Sequence, residues 1–163
     1  MSGPTTIWTC AAFAPVYRCG GWASVRFSQG QTNGVAGGER NTTASRIALA
    51  GLVAALRDLP PGESVDIRTT SPELAEFADT LIGLGTQTQA AAPTDDLDLW
   101  AQILAASAGR RFTLVRVRLE PTTPTAFANA WAELARDKAK ATGAFSSAIP
   151  KPNLAKIPGL TST

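Results

Sequence analysis

The stretch Thr5-Thr6-Ile7-Trp8-Thr9-Cys10-Ala11-Ala12-Phe13, followed by Cys19-Gly20-Gly21-Trp22-Ala23, decides how the rest of the chain is read. Residues 5–13 are rich in β-branched and aromatic side chains and carry no charge, the pattern of a strand covered on both faces in the middle of a sheet. After the Gly20-Gly21 turn, residues 22–28 alternate and stop at Gln29-Gly30-Gln31. A further short strand through Val35 leads to Gly37-Gly38. Three such segments joined by short turns read as an antiparallel meander.

Helical patterning begins next. Glu39-Arg40-Asn41-Thr42-Thr43 offers N-caps for a helix from about Ala44 to Asp58, with Leu49, Leu52, Val53 and Leu56 on one face. Pro60-Pro61-Gly62 ends it. Residues 64–69 form a short strand, and Ser71-Pro72-Glu73, with its capping hydroxyl and first-turn proline, starts a helix that runs to about Leu81 and stops near Gly83. Residues 83–94 have no apolar period and read as a loop. Thr94-Asp95-Asp96 opens another helix, ending at Gly109, with Leu97, Trp100, Ile103 and Leu104 as its buried stripe. Residues 112–119 read as a strand with Leu114 and Val115 inside, and a last helix spans about Thr125 to Lys140, facing the core with Phe127, Ala130, Trp131 and Leu134.

From Gly143 the chain carries Pro150, Pro152 and Pro158, two lysines and no acid, so it is expected to be extended rather than helical. The organisation is a domain over residues 1–142 with a C-terminal extension over 143–163. The fold class is α/β: a mixed five-stranded sheet, made of the three-strand meander and two crossover strands, with helices on both faces.

Composition bounds the function. A chain of 163 residues supports one well-buried core, and 44% apolar against 17% charged residues is a globular balance. Residues 1–109 hold six basic and ten acidic side chains, a net of −4, whereas residues 110–163 hold nine and three, a net of +6. One end of the molecule is basic, a pattern that marks a nucleic-acid or acidic-protein surface or, more commonly, a solvated charged face. Two cysteines and no histidine leave no disulfide scaffold and no zinc spacing, and a reducing, cytoplasmic setting is expected. A Cys10–Cys19 bridge is geometrically possible across the turn but is not expected there. No apolar run is long enough to span a membrane.

Order and local sequence together resemble the type 1 ribonuclease H family over about residues 5–141. The segments that carry the resemblance are Ile7-Trp8-Thr9, Gly20-Gly21-Trp22, Asn41-Thr42-Thr43 with Arg46-Ile47 and Leu49, Ile67-Arg68-Thr69 followed by Ser71, Leu97-Asp98-Leu99-Trp100, and Glu133-Leu134-Ala135-Arg136. The resemblance implies hydrolysis of the RNA strand of an RNA/DNA hybrid by two divalent metals held on four carboxylates, because hard Mg²⁺ takes anionic oxygen ligands. The matching positions here are Cys10, Ala48, Thr70 and Ala132, none of them acidic. The histidine that assists proton transfer in the family is absent as well. Asp66 stands about 13 Å along its strand from Thr70, and Glu133 points about 100° away from Ala132, so neither replaces a lost acid. Glu39 and Glu120, on loops, still fall short of a two-metal set.

The expectation is a catalytically inactive domain with no metal and no cofactor, whose inherited groove binds nucleic acid, hybrid or duplex. Candidate contacts are Arg18, Gly20, Gly21, Thr43 and Arg46, with Thr43 on a phosphate-contacting position of the family or serving only as a helix cap. The alternative is a protein-interaction or self-association module acting through residues 143–163. Residual metal-dependent hybrid cleavage is a third reading.

Overall fold

The computed structural model describes residues 4–59, 64–86, 93–158 and 160. The meander is made of β1 (Thr5–Ala14), β2 (Cys19–Ser28) and β3 (Gln31–Arg40), each ten residues long and antiparallel to the next. Gln29 and Gly30 link β2 to β3 with φ of 53° and 75°, the left-handed pair that a two-residue hairpin turn demands. Two crossovers then lay β4 (Ser64–Thr69) parallel to β1 and β5 (Arg111–Arg116) parallel to β4.

The sheet has six strands rather than five, in the order β5-β4-β1-β2-β3-β6. The sixth comes from the tail: β6 (Phe145–Ala148) pairs antiparallel with β3, from Val35↔Ala148 to Gly38↔Phe145. Because β3 runs on past Val35 to Arg40, its outer edge offers backbone groups that need partners, and residues 145–148 supply them. The next residues are not extended, as α6 (Lys151–Leu154) makes one helical turn. Ile149, Leu154 and Ile157 are buried, and Gly34 leaves the room, since a Cβ there would lie 2.8 Å from Leu154 Cδ2.

One face of the sheet is covered by α1 (Ala44–Leu56), α2 (Pro72–Glu76), α3 (Ala78–Thr86) and α4 (Leu97–Ala106); the other is covered by α5 (Pro124–Thr142) over β1, β2 and β3. The face of α1 predicted from Leu49, Leu52, Val53 and Leu56 is buried as a whole. The helix expected over 71–81 is instead two, broken at Phe77, whose ring packs edge-on against Trp100 at 5.2 Å. Its second part continues to Thr86 into what reads as loop in the sequence, while Pro60-Pro61-Gly62 and residues 87–92 lie outside the described residues.

Two predicted stripes are out of phase. In α4 the buried residues are Leu99, Trp100 and Ile103, with Leu97 and Leu104 more than half exposed. The helix begins at Leu97 because Asp96 is left-handed, at φ 55°. In α5 the fully buried face is Thr125, Ala128, Ala132, Ala135 and Ala139; of the bulky set Phe127 and Trp131 pack half-buried against that core, whereas Leu134 is 62% exposed. Close approach selects the small residues. A Cβ on Gly21 would run into the backbone of Ala132, Ala135 and Arg136, and one on Gly38 would lie 2.7 Å from Ala139 Cβ. Strand β5 also stops at Arg116, short of 119, and Val115 is exposed because α5 does not reach over β4 and β5.

Candidate functional site

The parallel register Thr9↔Thr69 carries Cys10 and Thr70 to the same end of adjacent strands. Thr70 donates its hydroxyl to Cys10 Sγ at 3.4 Å, and Cys10 donates its thiol to the Thr125 carbonyl at 3.5 Å. Three elements, β1, the end of β4 and the first turn of α5, therefore meet in one short chain of hydrogen bonds. Burial pushes the Cys10 thiol above its ordinary value, against a smaller opposing effect of the Thr70 hydrogen bonds, so the sulfur stays protonated at neutral pH. A protonated thiol is the form that can donate to a carbonyl.

Cys10 and Thr70 are thus brought together, and the α5 residue that touches Cys10 is Thr125. Ala132 lies seven residues further on, about two helical turns, with its carbonyl over Gly21. Ala48 is buried on α1 among Ile7, Leu49 and Leu52, in the cluster on the opposite face from Cys10 and Ala132. The signal for Thr125 is local: Thr123 caps α5 through the Ala126 amide and Pro124 occupies the first turn, which fixes Thr125 at the helix entrance.

The donor set at this corner is a neutral thiol, a hydroxyl and a backbone carbonyl. Soft sulfur and uncharged oxygen do not suit a pair of hard Mg²⁺ ions. Among the described residues no three His, Cys, Asp or Glu side chains gather to hold a metal ion. Asp66 accepts instead from Arg68 at 3.0 Å and Thr113 at 3.1 Å. Glu39, which lies in β3 rather than on a loop, accepts from Thr42 and pairs with Arg46.

The candidate contact residues divide. Arg46 is surrounded by acids: Nε lies 3.4 Å from Glu39, Nη1 donates to Asp96 at 3.2 Å, and a bidentate pair joins it to Asp98 at 3.0 and 2.8 Å. Its work is to tie α1 to β3 and α4. Asp98 is held at a pKa of about 2 by that guanidinium. Thr43 is exposed, and its hydroxyl accepts from the Arg46 amide as the N-cap of α1. Gly20 and Gly21 are buried under α1 and α5, where a Cβ on Gly20 would sit 2.6 Å from Ile47 Cγ1. Covered backbone cannot approach a ribose, so these glycines serve helix packing. Arg18 is exposed in a left-handed turn, φ 51°, and its carbonyl accepts from the Thr42 amide, joining the β1–β2 turn to the loop before α1.

The two cysteines cannot bridge. Cys10 pairs with Ala23 and Cys19 with Ala14, so four residues of strand, about 13 Å, separate them, beyond the 7 Å limit for a disulfide.

Solved structures superpose on most of this arrangement of a three-strand meander, two parallel crossover strands and helices on both faces. The chain matches LC11-RNase H1 in complex with an RNA/DNA hybrid at a TM-score of 0.60 and 19% identity, over 83% of this chain and 98% of that one. The chain has the ribonuclease H fold. LC9-RNase H1, a type 1 RNase H with the type 2 active-site motif, matches this ribonuclease H-like chain at 0.59 and 16% identity, over 88% and 77% of the two chains. The N-terminal RNase H domain of Rv2228c from Mycobacterium tuberculosis, solved as a fusion with maltose-binding protein, matches at 0.57 and 16%, over 85% and 96%. No family model matches the sequence, and no curated protein does. At these identities the ribonuclease H likeness is one of fold. No helix among the described residues is long and apolar enough to cross a membrane.

Proposed function

We propose that this is a catalytically inactive ribonuclease H-like module that binds nucleic acid. The observation that carries the reading is the corner of Cys10, Thr70 and Thr125, where a buried neutral thiol and a hydroxyl bond to one another at the position the family resemblance gives to metal-binding carboxylates. None of these three side chains supplies the anionic oxygen that a pair of hard divalent metals takes. Removing clustered carboxylates also removes repulsion between the corner and a phosphate backbone. The fold is shared with a protein solved on an RNA/DNA hybrid, and the C-terminal third of the chain is basic, which supports the binding half of the reading.

The alternative, an assembly module acting through residues 143–163, has less support, because the apolar side chains of that segment, Ile149, Leu154 and Ile157, are spent on their own sheet. The test is a labelled RNA/DNA hybrid incubated with the protein in Mg²⁺ and then in Mn²⁺. No cleavage is expected, with binding that weakens steeply as salt rises. Cleavage abolished by EDTA overturns the inactive assignment, and no binding at low salt overturns the nucleic-acid assignment.

A further inference from the structure

Beyond the last residue of β5 the chain remains bonded to the sheet, because the Val117 amide donates to the Thr69 carbonyl at 2.8 Å. That bond holds Arg116 and Arg118 on either side of Val117, with Cα atoms about 6–7 Å apart on an extended segment. With Thr70, Val117 and Leu119 they line a cleft of about 520 Å³ at the edge of the sheet. Among the described residues its lining holds two cations, one hydroxyl and no carboxylate.

We propose that Thr70, Arg116 and Arg118 form a binding site for a backbone phosphate of nucleic acid, placed against the corner where carboxylates are missing. This inference rests on the proposed function and adds where the backbone is held. Both arginines are exposed and, among the described residues, neither enters an ion pair or hydrogen bond. Their planar donor forks match phosphate oxygens, and unpaired guanidinium groups have no competing acid to leave. On the neighbouring strand, Asp66 is occupied by Arg68 and Thr113. Behind Thr70 stands the protonated Cys10 thiol, which adds no negative charge to that wall. The contrast is with the larger cleft before α1, of about 700 Å³, where Asp95 and Asp96 line the wall beside Thr43 and would repel an anion. A volume of about 520 Å³ is also enough for a nucleotide-sized stretch of backbone.

The test compares the full chain with the double variant R116Q/R118Q and with R57Q, which removes an exposed charge elsewhere. Hybrid binding is followed by fluorescence anisotropy across a salt series. The double variant is expected to bind about tenfold or more weakly at low salt and to lose about 1 from the slope of log K against log salt, with R57Q near wild type. Wild-type affinity in the double variant, or an equal loss in R57Q, overturns the site. If the unmodified chain binds no hybrid at all, the proposed function fails, and titration with inorganic pyrophosphate decides the cleft. Amide shifts at Thr70 and residues 116–119 that vanish in R116Q/R118Q support it, and their absence overturns it.

Discussion

The Thr70 hydroxyl donates to the sulfur of Cys10 across 3.4 Å, from the end of one parallel strand to its neighbour. The bond closes a corner that the ribonuclease H resemblance would fill with acid. Replacing Cys10 by Asp puts a single carboxyl into a site that is 1% exposed, against the Thr70 hydroxyl and the Thr125 carbonyl. C10D is expected to cost about 2–4 kcal/mol of stability, read by urea denaturation, and to restore no hybrid cleavage. Metal-dependent cleavage by C10D alone would show that the remaining ligands suffice.

The thiols themselves are expected to be inert in the native state. Burial raises the pKa of Cys10, so its reactive thiolate is scarce at pH 8, and Cys19 is buried as deeply, at 1% exposure. Ellman's reagent should label neither cysteine until denaturant is added, after which both should react. Rapid native labelling of one thiol would contradict the packing around it.

Arg46 gives a prediction in pH. Its bidentate hydrogen bonds hold the Asp98 carboxyl at about 2, below the ordinary 3.8. A carboxyl depressed in the folded state supports folding above the unfolded value, and that support is lost as pH falls from about 4 through 2. Carbon-detected NMR of Asp98 should show a midpoint near 2 that returns towards 3.8 in R46Q. An unchanged midpoint in R46Q would dissolve the assigned network.

Gly21 should not tolerate a side chain. The Cβ of G21A would meet the backbone of α5 at Ala132, Ala135 and Arg136, and backbone has no rotamer with which to yield. The expected loss is about 3 kcal/mol or more, with α5 displaced from β2. G30A, where a Cβ meets nothing within 4 Å, separates the two costs: its loss comes from the positive φ of 75° alone and should be about 1 kcal/mol.

The tail is expected to behave as part of the domain. Leu154 is 4% exposed and packs with Ile149 and Ile157 against the α5 side of the sheet. L154A should cost about 2–4 kcal/mol in a single cooperative transition. A tail that melts separately, or a variant as stable as wild type, would mean that residues 143–163 are not part of one core.

Local chemistry was enough for much of this protein. The uncharged run of β1, the Gln29-Gly30 turn, the Thr43, Ser71 and Thr123 caps and the four aliphatic residues of α1 are all explained by forces acting within a few residues. These features, in their order, imply the α/β class and the fold resemblance. Residue type is likewise read directly from the chain: Cys10, Ala48, Thr70 and Ala132, at positions that the resemblance gives to carboxylates, are not acidic.

What the tertiary structure decided is which partner each side chain meets. Hydrophobicity marked Leu134 for the core, but the close approach of α5 to Gly21 and Gly38 leaves room only for Ala132, Ala135 and Ala139, and Leu134 faces solvent. Charge marked Arg46 for a nucleic-acid backbone, but β3 and α4 bring Glu39, Asp96 and Asp98 to it from far along the chain. Proline and lysine marked the tail as an appendage, yet the open edge of β3 takes it as a sixth strand. Packing distance, ion pairing and edge pairing are long-range, and no local pattern encodes them. The register of two parallel strands likewise sets Thr70 beside Cys10 and opens the arginine-lined cleft next to it.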